Sequence, residues 1–400
     1  MGNLLVRLSI ASLLLLLTLG SMKRPTRPSW VSKMSAIKPP IGSEEIIRLP
    51  EGDRISSGEL LDDLYKAKVI FMGESHDQLE HHRNQLMVLR ALLERGKSVV
   101  VAMEMFERSQ QPILDRWSQG FLTEEEFLKE IRWEATWGMD YEFYKGILDE
   151  AKSHHLKVLA LNVSQELVRR VAQIGIERLS SEDKKKLPEM ELTDKAHRAY
   201  IRTIFKGHQG GSAEGLKHFY QAQCLWDEGM AETLSDFLKS SDGEGKTVVV
   251  IVGSGHVVFD FGIPKRFHRR TPLPYRTIVL KEWKSNLNEN LTFAKTNLPL
   301  ANYLWITQPT PSEKKRPRIG IVLKEMEESK GVWIERVISQ SPAEKAGLLP
   351  GDQILSVNGK EIIKLKDLHH AVAGKDSGKE IAMTILREGS KKEMTVTFPK

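Results

Sequence analysis

Five short segments in the first three quarters of the chain are almost continuously apolar: residues 68–72, 98–103, 157–161, 247–252 and 276–280. Strands buried on both faces have this composition, because neither side of the pleat meets water. The stretches between them repeat apolar residues every three to four positions, which is the helical period. This alternation predicts an α/β fold, a mostly parallel central sheet flanked by helices. The first connecting helix is the best marked. Asp77 is placed to cap it, with Glu80 three residues on as the reciprocal partner. Leu79, His82, Leu86, Leu89 and Leu93 make its inward stripe, and Gly96 ends it. Between the third and fourth strands the pattern stays helical from about Gln165 to Ser241, a large helical insertion. Inside it, residues 207–215 are glycine-rich, which suits a helix connection or a hinge for a lid. The last part of the chain predicts a small β-rich domain.

These patterns divide the 400 residues into five stretches. Residues 1–22 form a leader or anchor, and 23–50 a tether rich in Pro, Lys and Ser. Residues 51–305 form the α/β domain, 306–317 a linker, and 318–400 the β-rich domain. Arg7 and the apolar run from Leu8 to Leu19 resemble a signal-peptide core, too short for a comfortable membrane span. Leu17-Thr18-Leu19-Gly20-Ser21 looks like a lipoprotein processing site with Ser21 where the acylated cysteine would stand. No lipid-modified cysteine is therefore expected. Lys23, Arg24 and Arg27 resist translocation, so an uncleaved membrane anchor competes with a cleaved leader. Either way the body of the protein is expected outside the cytoplasm, in the periplasm or cell envelope.

Charge and cysteine content narrow the function classes. The formal charge of +6 comes from 59 basic residues interleaved with 53 acidic ones. With no aromatic–basic stacking platform, that is a solvated surface and not a nucleic-acid groove. Cys224 is the only cysteine, so there is no intrachain disulfide and no cysteine-based zinc site. A metal would have to be held by His, Glu, Asp or Tyr.

The chemistry collects at strand ends, where open α/β sheets bind ligands. The first strand runs into Gly73-Glu74-Ser75-His76, which places an acid and an imidazole two residues apart. Glu104 follows the second strand and His256 follows the fourth, in Gly253-Ser254-Gly255-His256. Histidine with carboxylate suits a zinc, manganese or iron ion, with His76 and His256 as its ligands, and equally suits acid–base work by Glu74 or Glu104. His82 sits on the apolar stripe of the first helix, where a core role competes with cofactor binding. Aromatic residues concentrate between Trp117 and Tyr144, as a packed interior or as the wall of a pocket for a large flat ligand. No dinucleotide fingerprint, P-loop, nucleophile elbow or His-Glu-x-x-His pair is present.

The order Gly73-Glu74-Ser75-His76-Asp77, Glu80-His81-His82, Ala102-Met103-Glu104-Met105, Ile131-Arg132-Trp133-Glu134, Leu159-Ala160-Leu161-Asn162 and Gly253-Ser254-Gly255-His256-Val257 resembles the ChaN family. That family comprises bacterial haem-binding envelope proteins, in a superfamily with the Tiki metalloproteases and erythromycin esterases. The resemblance covers about residues 45–285. It implies a haem or metal site built on Glu74, His76, Glu104 and His256. It also implies iron held through tyrosine and histidine, with Tyr141, Tyr144 and Tyr220 as candidates and the axial ligand left open.

Residues 318–398 resemble a PDZ domain of the bacterial envelope type, through Arg318-Ile319-Gly320-Ile321-Val322, Ser341–Leu348 and Gly351–Gly359. The resemblance implies capture of an extended peptide or a protein C-terminus as an added strand beside Ile319, Gly320, Ile321 and Val322, with Leu368 lining the pocket. The expected function is an extracytoplasmic haem- or iron-binding protein whose PDZ domain engages a partner, with a homodimer among the expected assemblies. A metal-dependent hydrolase or peptidase whose PDZ domain presents substrate, and a non-catalytic scaffold, are the alternatives.

Overall fold

The computed structural model describes residues 45–205, 212–283, 293, 296–308, 319–325, 331–338, 341–363, 367–368, 371 and 380–397. The chain forms two compact units, Met1–Gln308 and Pro309–Lys400.

The first unit is built on an eight-stranded sheet. Its strands are β1 (Glu45–Arg48), β2 (Asp53–Ile55), β3 (Val69–Glu74), β4 (Val99–Glu107), β5 (Val158–Asn162), β6 (Thr247–Gly253), β7 (Tyr275–Glu282) and β8 (Tyr303–Thr307). They lie in the order β2-β1-β8-β7-β3-β6-β4-β5. The six from β8 to β5 are parallel, and β1 and β2 close one side antiparallel. Side chains alternate across a strand, so each apolar run feeds two cores. Ile70, Met72, Val101, Met103, Val249 and Ile251 enter one, and Val69, Phe71, Val100, Ala102, Val248 and Val250 the other. Helix α1 (Leu79–Glu94) and helix α2 (Glu142–Ser153) cover the first face. Helix α3 (Ala213–Lys239) and helix α4 (Ile263–Arg270) cover the second. The mostly parallel, helix-flanked sheet and the helical insertion are as the sequence pattern predicts.

Three local expectations are corrected. Residues 45–48, assigned to the tether, form β1, and β8 runs past residue 305 into the assigned linker. Asp77 does not cap α1; the N-cap is Gln78, without a side-chain bond. The buried face of α1 carries His81, His82, Asn84, Gln85, Val88, Leu89 and Leu92, rotated from the expected leucine stripe. Of the expected stripe His82 and Leu89 lie on that face, and the apolar reading misplaced the rest because its first two turns are polar. The leader, residues 23–44 of the tether, linker residues 309–317 and glycine-rich residues 206–211 lie outside the described residues. No helix among the described residues is long and apolar enough to cross a membrane.

The second unit is an antiparallel sheet. It comprises β9 (Ile321–Glu325), β10 (Val332–Val337), β11 (Gln353–Val357), β12 (Lys360–Glu361), β13 (Glu380–Arg387) and β14 (Ser390–Thr397). The order is β14-β13-β11-β10-β9, with β12 paired to β11. Asn358 and Gly359 both take positive φ, as a tight hairpin turn between β11 and β12 requires.

Candidate functional site

Register brings the chemistry together. Val69–Glu74 of β3 runs in step with Val248–Gly253 of β6, and β4 pairs with the other side of β6. The ends of the three strands therefore open on one edge. Ser75 donates its backbone N–H to His81 Nδ1 at 2.9 Å, fastening the turn after β3 to α1.

Glu74 is buried, with four groups around its carboxylate. His76 Nδ1 lies 2.8 Å from Oε1, and the Tyr144 hydroxyl donates to the same oxygen at 2.9 Å. Gln85 Nε2 donates to Oε2 at 2.6 Å, and His82 Nδ1 stands 3.3 Å from it. Burial, the largest single influence, works to raise this carboxyl. The hydrogen bond from His76 and the charges of His82 and His76 outweigh it and hold Glu74 below the usual range.

His76 bridges two acids. Its Nε2 lies 3.2 Å from Glu104 Oε1 while Nδ1 faces Glu74. Burial works against its charge, but the two carboxylates prevail and raise it above an ordinary imidazole. Glu104 accepts from the Gly253 N–H at 3.0 Å and is pushed up by burial, against the pull of His256 and His76. A Cβ on Gly253 would stand 3.0 Å from His76 Cε1 and Nε2, close enough that the ring would have to shift by a few tenths of an ångström. His256 Nε2 approaches Glu104 Oε2 at 3.8 Å. Both imidazoles thus address the two oxygens of one carboxylate, as the shared strand-end placement predicts.

His256 turns its other nitrogen inward, where Nδ1 lies 2.6 Å from Asp227 Oδ1 on α3. Gln223, one turn earlier, is 3.1 Å from the same nitrogen. Tyr144, a candidate iron ligand in the sequence, instead donates to Glu74, while Gln85, Asp227 and Gln223 escaped the sequence reading, yet two of these carried a signal. Gln85 stands in helical phase with buried Val88, Leu89 and Leu92, and Asp227 with buried Met230, Ala231 and Leu234. A polar residue at the head of an inward stripe is costly unless it has a partner.

His82 joins the cluster through Glu74, stacked on Phe143 with centroids 5.6 Å apart. Tyr220 does not join it. It is packed against His197, and its hydroxyl donates to the Asp194 carbonyl at 3.3 Å. Its place on α3 turns it into the insertion's own core, so the expectation of cofactor binding there is corrected. Tyr141 is buried too, and burial raises the phenols of Tyr141, Tyr144 and Tyr220 out of easy ionisation. Trp137 sets its ring edge-on to His76, centroids 4.9 Å apart, at the rim of the cluster. Among the described residues, no group of three His, Cys, Asp or Glu side chains is arranged to hold a bare metal ion.

In the second unit, Ile321 and Val322 lie on β9, which pairs only with β10 and ends the sheet. Ile319 and Gly320 precede it, their carbonyls accepting from Ala343 and Ile338 at 2.8 Å each. Leu368 is buried in the core of this unit, not on an open pocket wall.

Comparison with known proteins places both units in known families. The sequence model of the family described as haem-binding uptake, Tiki superfamily, ChaN matches residues 60–267, and that of the PDZ domain matches residues 317–398. A solved structure of ChaN from Campylobacter jejuni, titled for cofacial haem binding, superposes with a TM-score of 0.52 at 20% identity. The match covers 66% of this chain and 97% of that one, and shows the fold. Among curated proteins, a probable periplasmic DegP-like serine endoprotease of Ectopseudomonas mendocina is 33% identical over 120 residues. That is 27% of this chain and 25% of the relative. The mitochondrial serine protease HTRA2 of Drosophila virilis is 32% identical over 132 residues, 32% of this chain and 30% of that protein. The chain thus spans less than a third of either protease.

Proposed function

This chain belongs to the ChaN family of haem-binding-uptake proteins in the Tiki superfamily, and we propose that it is an extracytoplasmic haem-binding protein whose PDZ domain captures an extended peptide or C-terminal tail of a partner. One observation carries the haem reading: His256 is anchored through Nδ1 to a buried carboxylate while Nε2 is turned toward Glu104 at the strand ends, too far from it for a hydrogen bond. Histidines that ligate iron or zinc are commonly held this way, with the distal nitrogen left for the metal. Haem fits these residues in two further respects. Trp137 offers an aromatic edge at the rim, beside the only partly covered ring of His76. The buried phenols leave imidazole as the accessible donor, so His256 is the axial ligand in this reading. Bound haem would supply an iron centre for transfer or storage; the chain's own part is to hold, orient and shield it.

The apolar run at residues 8–19 supports the location, and the unpaired outer side of β9 supports strand addition. Haem titration of the purified full-length protein is the test. A saturable absorbance band, lost in His256→Ala, is expected; a wild type that shows no saturation overturns the reading. A second reading, hydrolysis, draws on Glu104, a carboxyl raised by burial between two imidazoles, as a general base does require. Manganese- or zinc-stimulated peptide cleavage without a haem band would establish that reading instead.

A further inference from the structure

We propose that Asp227 is a positioning residue that fixes the tautomer and direction of His256, so that Nε2 carries the lone pair offered to the site. The inference deepens the haem reading and rests on it for the ligand, but not for the tautomer.

A carboxylate can only accept, so the nitrogen 2.6 Å from Asp227 Oδ1 carries the proton. A neutral imidazole has one N–H, and Nε2 is then the acceptor. Gln223 bears on the same nitrogen at 3.1 Å. Its amide nitrogen cannot donate to an N–H that already points at Asp227. The Gln223 carbonyl oxygen therefore takes that place, an amide orientation set by the hydrogen-bond network.

Asp227 has no freedom to retreat. It is fully buried, and α3 is pinned at the two residues that follow it. Glu228, the next residue, is clasped by Arg266, Arg269 and Arg270 of α4. At Gly229 a Cβ would meet Val163 Cγ1 at 2.2 Å, so the helix backbone packs directly on the Val163 side chain there. The second oxygen, Oδ2, faces His197 Nε2 at 4.0 Å, and neither atom has another hydrogen-bond partner among the described residues. A carboxylate with one oxygen committed to His256 and the other sealed against a buried imidazole cannot rotate away to solvent. The helical insertion thereby sets the direction of a side chain that the sheet supplies.

The test reads the histidine nitrogens by 15N NMR in haem-free, 15N-histidine-labelled full-length protein, at a pH above the titration of His256. The expected result is a protonated Nδ1 and an unprotonated Nε2. Asp227→Asn, which removes the charge selecting that form, should shift the population toward Nε2–H and weaken haem binding about 10- to 100-fold. Asp227→Glu should retain the wild-type tautomer. A wild type already in the Nε2–H form overturns the proposal, with no variant needed. So does an Asp227→Asn protein that loses haem affinity with its tautomer unchanged, or shifts tautomer with its affinity unchanged. A wild type that binds no haem but shows the Nδ1–H form sinks the functional reading and leaves the positioning of His256 standing.

Discussion

Removing one oxygen atom from the core tests how the Glu74 carboxylate is held. In Tyr144→Phe the ring stays and the hydroxyl that donates to Glu74 Oε1 at 2.9 Å is lost. Glu74 keeps His76 at 2.8 Å and Gln85 at 2.6 Å, so it remains ionised but with one donor fewer. Both partners are buried, so water cannot replace the missing bond. Hydrogen bonds to charged groups contribute about 1.5–3 kcal/mol. For a unit of this size that corresponds to a fall in Tm of about 3–12 °C. The sign with pH follows from linkage. Glu74 is held below its unfolded value, so its contribution is present above pH about 4.5 and is lost as pH falls through the folded pKa. The variant's deficit should therefore be full at pH 7 and shrink toward a neutral hydrogen bond's worth in acid. Calorimetry of the full chain at pH 7 and at pH 4 or below measures both. Equal melting of the two proteins at pH 7, or a deficit that does not change with pH, would refute this account of Glu74.

Gly253→Ala should displace His76, because the new Cβ stands 3.0 Å from two ring atoms that two carboxylates already flank. Overpacking of about 1–3 kcal/mol and a tenfold or greater loss of haem affinity are expected, while Gly255→Ala, whose Cβ meets nothing within 4 Å, serves as the neutral control in the same titration. His197 is buried with its pKa lowered by burial to about 4. Its folded value lies below the unfolded 6.5, so the stability it confers is lost as pH falls from about 6.5 to 4. Urea unfolding across that window should show a shallower acid loss in His197→Gln, by on the order of 3 kcal/mol; parallel curves would contradict the burial of a neutral ring. In the second unit, Arg387 donates to buried Asp352 from Nε at 2.6 Å and Nη2 at 2.7 Å. Arg387→Met should cost about 3–5 kcal/mol by stranding the charge, seen as faster amide exchange in β11 and β13; unchanged protection would mean that water reaches Asp352.

The sheet was legible because its signal is one-dimensional. Val69, Phe71, Val248 and Val250 face one core while Ile70, Met72, Val249 and Ile251 face the other, and both demands write apolar residues into the same short run. Strand-end placement was legible for a related reason. A parallel sheet ends its strands on one edge, so Glu74, Glu104 and His256 follow from where the runs stop. The helix-borne members were hidden by the same criterion that found the strands. Gln85 and Asp227 occupy buried positions that a search for apolar periodicity discards, and Tyr144 was singled out only as a candidate iron ligand, not as the donor to Glu74. Tyr220 was misplaced because several tyrosines lie on helices of the right region, and only the rotation of α3 shows which way each one points. Strands β1 and β8 evaded notice as short segments beside Pro-rich stretches. Their pairing with each other, Ile46 opposite Trp305, is what makes them strands.

The site therefore divides into members held from outside the sheet and one that is not. Glu74 is gripped from the first helical face by Gln85 of α1 and Tyr144 of α2. His256 is gripped from the second face by Asp227 of α3. Glu104 has no helical partner among the described residues: its carboxylate meets the Gly253 N–H, His76 and His256, all at the sheet edge. It is also the acid that burial pushes up, so its charge depends on the two imidazoles beside it. Whatever draws His256 Nε2 outward weakens one of the two contacts that oppose the effect of burial on Glu104. That leaves His76 as its nearer imidazole, and His76 is in turn bound to Glu74. Occupation of His256 should thus be felt across the sheet edge through Glu104 and His76 without any movement of the helices. Among the described residues, Glu104 is the one carboxylate that touches both imidazoles, and the helix-anchored residues flank it.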